Sequence, residues 1–374
     1  MALPDGLDAT MTDSRAFLSR ARRVIVKIGS SSLSVDDSAA ARLAEEVAGL
    51  VAKGYSFVIV TSGAIAIGCG RLGYRSRPKE MARLQAAAAA GQSVLMRRYD
   101  EAFAEVGITA AQVLLTHSDL AERDRANNAR QALAALLEAG AVPIINENDT
   151  VATDEIRFGD NDQLAAMVAP LVGAEVVILL TDVDAVLDDK GKRIAILRED
   201  TAIGTVERRG ESVGTGGMAS KVNAARKGAR SGASVVIASA RKPKTISQVL
   251  SGADIGTLIP VSPRALRARK HWIAYTLRPK GAVLLDAGAV KVVSGGKSSL
   301  LPVGVLGVRG DFHAGDAVSL VDSEGREIGR GLSRLGATEV ARSAGKKGEP
   351  LEQLFGERAK DLVVVHKDDL VTDL

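Results

Sequence analysis

The chain has 374 residues, is 46% hydrophobic and 25% charged with only 3% aromatic residues, and carries a net charge of +4. That is ordinary globular composition with room for two domains, and so small a net charge, despite a sequence pI near 9.1, is weak ground for a nucleic-acid binder. A single cysteine, Cys69, excludes an intramolecular disulfide; His117, His271, His313 and His366 sit at no zinc spacing; and no run of 18 apolar residues reads as a membrane span.

Residues 1–20 contain Arg15 and Arg20 but no apolar core, so they read as a polar, loosely ordered extension rather than a secretory signal. The cytoplasm is the expected compartment. From residue 22 short apolar runs alternate with Ala-rich helical patterns. The runs are Val24–Ile28, Phe57–Thr61, Ile108–Leu115, Val142–Ile145, Val176–Leu180 and Val235–Ala238. Their continuous apolarity predicts strands covered on both faces. Helical patterns over Ala39–Ala52, Met81–Phe103, Asn127–Ala139 and Ser220–Ser231 lie between them. The alternation predicts an α/β domain over 21–262, built on a mostly parallel open sheet with helices on both faces. Cys69, in an apolar stretch, reads as a buried, inert side chain.

The pattern changes near residue 262. Segment 263–280 carries Arg264, Arg267, Arg269, Lys270, Arg278 and Lys280 without an acid and reads as a basic linker. Residues 281–374 lose the helical pattern for some 50 positions. They show short strands at Ala282–Asp286, Leu301–Val308, Ala317–Val321, Glu327–Leu332 and Leu362–His366 separated by glycine turns. This predicts a small β-barrel-like domain.

Every chemically suggestive motif follows the carboxyl end of a predicted strand, the edge where open α/β sheets bind ligands. Lys27-Ile28-Gly29-Ser30-Ser31 ends the first strand, and its lysine and glycine suit a phosphate, though a plain strand–turn would read alike. Thr61-Ser62-Gly63-Ala64-Ile65-Ala66 opens a helix whose N–H groups would face an anion; the plain alternative is N-capping by Ser62. Asn146-Glu147-Asn148-Asp149 groups four polar residues that would bind an amino group and a carboxylate, or simply make a turn. Gly159-Asp160-Asn161-Asp162 precedes a helix that Asp162 either caps or leaves to hold lysines in place. Thr181-Asp182 offers a hydroxyl and a carboxylate to a nucleotide or its metal. Gly214-Thr215-Gly216-Gly217-Met218-Ala219-Ser220-Lys221 is a second glycine-rich loop closed by a lysine. Two lysines in glycine-rich loops, with a carboxylate loop between them, point to phosphoryl transfer onto an acceptor that is itself negative.

Two motifs are decoys. Gly68-Cys69-Gly70-Arg71-Leu72-Gly73 fits a dinucleotide fingerprint but starts too far past its strand and has no acidic partner about 20 residues on. The loop ending at Lys221 lacks the glycine that directly precedes the lysine in a P-loop.

Taken together and in this order, the motifs resemble the glutamate 5-kinase family of the amino acid kinase superfamily. The resemblance covers about residues 21–374, and the C-terminal region is similar to a PUA domain. Asn-Glu-Asn-Asp with Gly-Asp-Asn-Asp separates this family from acetylglutamate kinase and aspartokinase. The resemblance implies an αβα amino acid kinase fold using ATP and Mg²⁺. It implies that Lys27 and Lys221 contact the transferring phosphoryl group and that Asp162 orients both. Ser62, Gly63, Asp149 and Asn161 would bind L-glutamate, and Lys27, Thr181, Asp182 and Thr215, Gly216, Gly217, Met218, Ala219, Ser220 and Lys221 would bind ATP. No protein-held metal site is implied. Feedback inhibition by proline, a homo-oligomer (dimer or tetramer), transient contact with glutamyl phosphate reductase and no membrane partner are family expectations. PUA domains commonly bind RNA, but Trp272 and Tyr275 make a poor stacking platform. A kinase of the same fold acting on aspartate, N-acetylglutamate or a nucleoside monophosphate is the remaining reading.

Overall fold

A computed structural model describes residues 15–30, 38–152, 161–198, 217–262, 270, 272–295 and 298–372. The chain divides into two compact units, Met1–Ala265 and Leu266–Leu374. Among the described residues no helix is long and apolar enough to cross a membrane.

The first unit is built on strands β1 (Arg23–Ile28), β2 (Ser56–Val60), β3 (Ala110–Leu115), β4 (Val142–Glu147), β5 (Val176–Thr181), β6 (Ser234–Ser239) and β7 (Thr257–Ile259). They form one sheet in the order β3-β4-β2-β1-β5-β6-β7. All pairs are parallel except β6 with β7. The strands are short and β-branched because both faces are buried: on β1, Val24 and Val26 join one core cluster while Ile25 joins the other. β1 lies at the middle of the sheet, with Lys27 in register with Val60 on one side and Leu179 on the other. The mostly parallel α/β expectation holds. Sequence reading missed β7, which has three residues and is the antiparallel edge.

The Gly68 decoy has a packing role. It lies inside the Ala64–Arg71 helix, against the Met81–Glu105 helix. A Cβ on Gly68 would collide with the Ala87 carbonyl, and one on Gly91 with the Ala64 carbonyl. The helices therefore meet backbone to backbone. Gly70, two residues on, faces open space. Gly68→Ala is expected to destabilise the protein by about 3 kcal/mol or more, since backbone cannot yield as a side chain does. Gly70→Ala should be neutral or stabilise by about 0.5–1 kcal/mol. Denaturant midpoints of the two variants check both values, and equal midpoints would refute the close crossing.

The extension is ordered over its described part, which corrects the expectation for residues 15–20. Arg15–Ser19 forms a 3-10 turn, and Leu18 is buried in the core. The Arg15 guanidinium donates to the Ile255 carbonyl at 2.8 Å and the Ala195 carbonyl at 3.0 Å. Charge alone hid this, because an arginine that satisfies several carbonyls is as ordered as an apolar residue. Cys69 is buried as expected, in a cluster with Ile65, Leu84, Ala87, Ala88 and Ala152. Burial pushes its thiol up, against the opposing pull of Arg77.

The second unit holds β8 (Gly281–Leu285), β9 (Val305–Gly310), β10 (Ala317–Val321), β11 (Glu327–Ser333) and β12 (Val365–Thr372) in one sheet ordered β12-β11-β10-β8-β9. Only the β8–β10 pair is parallel. A helix at Ala287–Ser294, capped by Asp286, interrupts the predicted all-strand stretch. The linker reading also needs correction at its end. Trp272–Thr276 is a π-helical turn whose Ile273 and Ala274 are buried with Val371, and Trp272, Tyr275 and Leu332 pack on them. Residues 263–269 and 271 lie outside the described residues.

Candidate active site

The site lies at the carboxyl edge of the central strands, where β1, β2, β4 and β5 end side by side. Lys27 is the penultimate residue of β1, flanked by β2 and β5, and its side chain is only 6% exposed. A buried ammonium needs a counter-charge. Asp162 supplies it from the first turn of the Asn161–Val172 helix, with Nζ of Lys27 2.7 Å from its Oδ1. Lys221 comes from a different element. It sits in the first turn of the Met218–Arg230 helix and donates from Nζ to the second carboxylate oxygen at 2.8 Å. One carboxylate, 2% exposed, thus holds two lysines that are 59 residues or more from it in sequence. Burial alone would raise the Asp162 pKa. The charges of Lys27 and then Lys221, with their hydrogen bonds, overcome that and hold it below the ordinary carboxylate range.

Beside this bridge a second polar cluster forms around the ends of β2 and β4. Gly63 caps the Ala64–Arg71 helix in the left-handed region, with φ at +114°, a conformation that favours glycine. Ser62 is therefore not the N-cap that a structural reading of the motif suggests. Its hydroxyl accepts instead from Nδ2 of Asn161 at 2.8 Å. The same amide nitrogen donates to the Thr61 carbonyl at 2.5 Å and to Oδ1 of Asn146 at 3.0 Å. Asn146 and Glu147, the last residues of β4, are buried. Asp149 lies in the turn just beyond. Burial raises its carboxyl pKa to about 6, against the opposing pull of the Arg77 guanidinium.

Thr181 ends β5, one position past the residues paired with β1, and its hydroxyl donates to Asp182 at 3.2 Å. The two residues thus border the Lys–Asp–Lys bridge on the side away from β2. Gly217 is the N-cap of the Met218–Arg230 helix, and Met218, Ala219 and Ser220 form its first turn with Lys221. Thr215 and Gly216 lie outside the described residues, as do Gly159, Asp160 and Ser31.

Sequence reading missed the residues that support this polar cluster. Gln85, Gln92 and Tyr99 recur every seven residues on one face of the Met81–Glu105 helix. Gln85 donates to the Ala152 carbonyl at 3.1 Å, Gln92 accepts from Nδ2 of Asn146 at 2.8 Å, and Tyr99 donates to the Thr61 hydroxyl at 2.9 Å. Tyr99 is fully buried, and burial raises its phenol pKa well above the ordinary value. The signal was available as polar residues at heptad spacing in an Ala-rich helix. A second missed pair, Lys227 donating to Oε1 of Gln163 at 2.8 Å, ties together the helices that carry Lys221 and Asp162.

The profile of the amino acid kinase family matches residues 22–239, and that of the PUA domain matches residues 281–355. The chain is 45% identical to a protein of Chromohalobacter salexigens named glutamate 5-kinase, over 98% of this chain and 100% of that one. It is 44% identical to a protein of the same name from Nitrosococcus oceani, over 96% and 100%. A third, from Thermus thermophilus, is 45% identical over 94% and 97%.

Proposed function

The chain belongs to the amino acid kinase family and, within it, to the glutamate 5-kinases, and from that premise we propose that it transfers the γ-phosphoryl group of ATP to the side-chain carboxylate of L-glutamate, the first step of proline synthesis. The observation that carries the reading is the Lys27–Asp162–Lys221 bridge at the carboxyl edge of the sheet.

The acceptor carboxylate has an ordinary pKa near 4.3 and is already ionised at pH 7. One of its oxygens bonds to the γ-phosphorus, the bond from that phosphorus to the β,γ-bridging oxygen breaks, and ADP leaves. No proton need be removed, so no general base is required. The barrier lies in pressing one anion against another. Lys27 and Lys221 approach the transferring group from two sides and neutralise its oxygens. Asp162 holds both ammonium groups within reach of one centre despite their mutual repulsion. Glycine-rich backbone before Lys221 and the Thr181–Asp182 pair would cradle the nucleotide.

Mg²⁺ fits this arrangement as a companion of the nucleotide. Among the described residues no cluster of three His, Cys, Asp or Glu side chains is placed to hold a metal, whereas the Thr181 and Asp182 oxygens are the hard donors that a phosphate-bound, partly hydrated Mg²⁺ takes. It would neutralise phosphate charge when bound.

Ser62, Gly63, Asn161 and Asp149 would take L-glutamate, with Asp149 facing its ammonium. A protonated Asp149 has no charge to offer, so kcat/KM for L-glutamate at saturating MgATP should fall about tenfold per pH unit below about pH 6. It should be level above that, and Asp149→Asn should remove the break while raising KM for glutamate more than for ATP. A wild-type profile flat down to pH 5 would refute the role.

The same reading carries an N-terminal catalytic region over 21–262 and a PUA domain over 281–374. It also carries proline as feedback inhibitor, a cytoplasmic homo-oligomer and transient contact with glutamyl phosphate reductase. The acyl phosphate is trapped by hydroxylamine, which gives the direct test. ATP-dependent hydroxamate should form with L-glutamate, and not with aspartate or N-acetylglutamate, and proline should suppress it. Equal signal with another acceptor would move the substrate assignment.

A further inference from the structure

The amide groups beneath the acceptor site form a relay whose direction is fixed at one end. The Thr61 carbonyl can only accept, so the Asn161 group 2.5 Å from it must be the NH₂. That nitrogen also meets Oδ1 of Asn146 at 3.0 Å, which turns the Asn146 NH₂ outward to Oε1 of Gln92 at 2.8 Å. One oxygen is left over. Oδ1 of Asn161 is buried, in a residue only 6% exposed, and has no hydrogen-bond donor among the described residues. A buried acceptor without a donor is a demand for one. Asn161 lies over β2 and β4, whereas its neighbour Asp162 reaches β1 and the phosphoryl end. The leftover oxygen therefore belongs to the far end of the acceptor molecule.

Resting on the kinase reading above, we propose that Gln92 is a positioning residue: through Asn146 it holds in place the Asn161 amide that the Thr61 carbonyl orients, so that Oδ1 accepts from the α-ammonium of L-glutamate. Among the groups of glutamate at pH 7 only the ammonium has hydrogens to donate, so the relay selects an amino acid over a plain dicarboxylate. Asp149, in the turn after β4, would share the same ammonium. Gln92 touches neither substrate and acts by holding the orientation of two other amides.

The test uses the full chain and two acceptors, L-glutamate and glutarate, which keeps both carboxylates and lacks the ammonium. Gln92→Leu removes the oxygen that orients Asn146. It is expected to raise KM for L-glutamate about tenfold or more, the loss of one charge-assisted hydrogen bond. KM for ATP, kcat, and the affinity for glutarate (as poor substrate or as competitive inhibitor) should change less than about twofold. Gln92→Glu keeps an acceptor at that position and should restore most of the glutamate affinity. Should Gln92→Leu fail to fold, Gln92→Met carries the same expectation. Parallel losses for L-glutamate and glutarate, or a Gln92→Glu variant as weak as Gln92→Leu, would overturn the relay. Wild-type protein that forms no hydroxamate from L-glutamate would overturn the kinase reading itself, whereas active wild type with unsplit constants overturns the relay alone.

Discussion

Replacing Lys27 or Lys221 with alanine is expected to lower kcat by on the order of a thousandfold, with KM for either substrate changing far less. The two lysines are the positive charges brought to one centre, each within 2.8 Å of the same carboxylate. Developing charge on the transferred phosphoryl oxygens is stabilised where donors are already in place and little water competes, and removal of one such donor typically costs about 10²–10³ in rate. Two anionic reactants raise the demand further. Alanine at either position also leaves Asp162 with one counter-charge in place of two, so part of its negative charge faces the incoming phosphate. Lys27→Arg is not a conservative rescue. Its planar fork would have to fit where a point charge sits at 2.7 Å in a buried slot. Steady-state kinetics of both alanine variants, with folding checked by circular dichroism, decide the matter. Losses below about tenfold in both would remove the lysines from the chemistry.

The reacting end of this site was legible in sequence because its residues are punctuation at strand ends. Lys27 follows an apolar β-branched run, Asn161-Asp162 opens a helix just after Gly159, and Lys221 lies in the first turn of a helix after a glycine-rich stretch. What spacing could not show is that one carboxylate meets two lysines, because the contacts cross 59 residues and more. The polar cluster proposed to take the acceptor was less legible. Gln92 and Tyr99 lie mid-helix, far from any glycine loop, and a periodic reading treats them as ordinary helix positions. Their importance comes from where the helix crosses beneath β2 and β4, which is a tertiary fact set by Gly68 and Gly91. The same limit explains the extension. Arg15 reads as a solvated charge until the carbonyls at Ala195 and Ile255 are seen beside it.

Asp162→Asn is expected to separate the two tasks of that carboxylate. The amide keeps the shape but leaves two ammonium groups in a pocket where the carboxylate is 2% and Lys27 6% exposed. Breaking a buried ion pair from one side destabilises by about 3–5 kcal/mol, because the remaining charge stays buried and unmatched. Activity should fall at least a hundredfold, since the lysines would move apart or give up a proton. Adding Lys27→Met to Asp162→Asn removes one of the unmatched charges. The double variant should recover much of the lost stability and none of the lost rate, which a purely structural role for Asp162 would not produce. The pH dependence has a definite sign. The Asp162 pKa is held below its unfolded value of 3.8, so the stability it contributes is fully present above about pH 4 and is lost as pH falls through the lower folded value. Acid unfolding of the wild type should therefore be steeper below pH 4 than that of the double variant. Thermal midpoints between pH 2.5 and 7, measured for wild type, single and double variants, give the comparison; parallel curves for all three would show that the bridge contributes to neither.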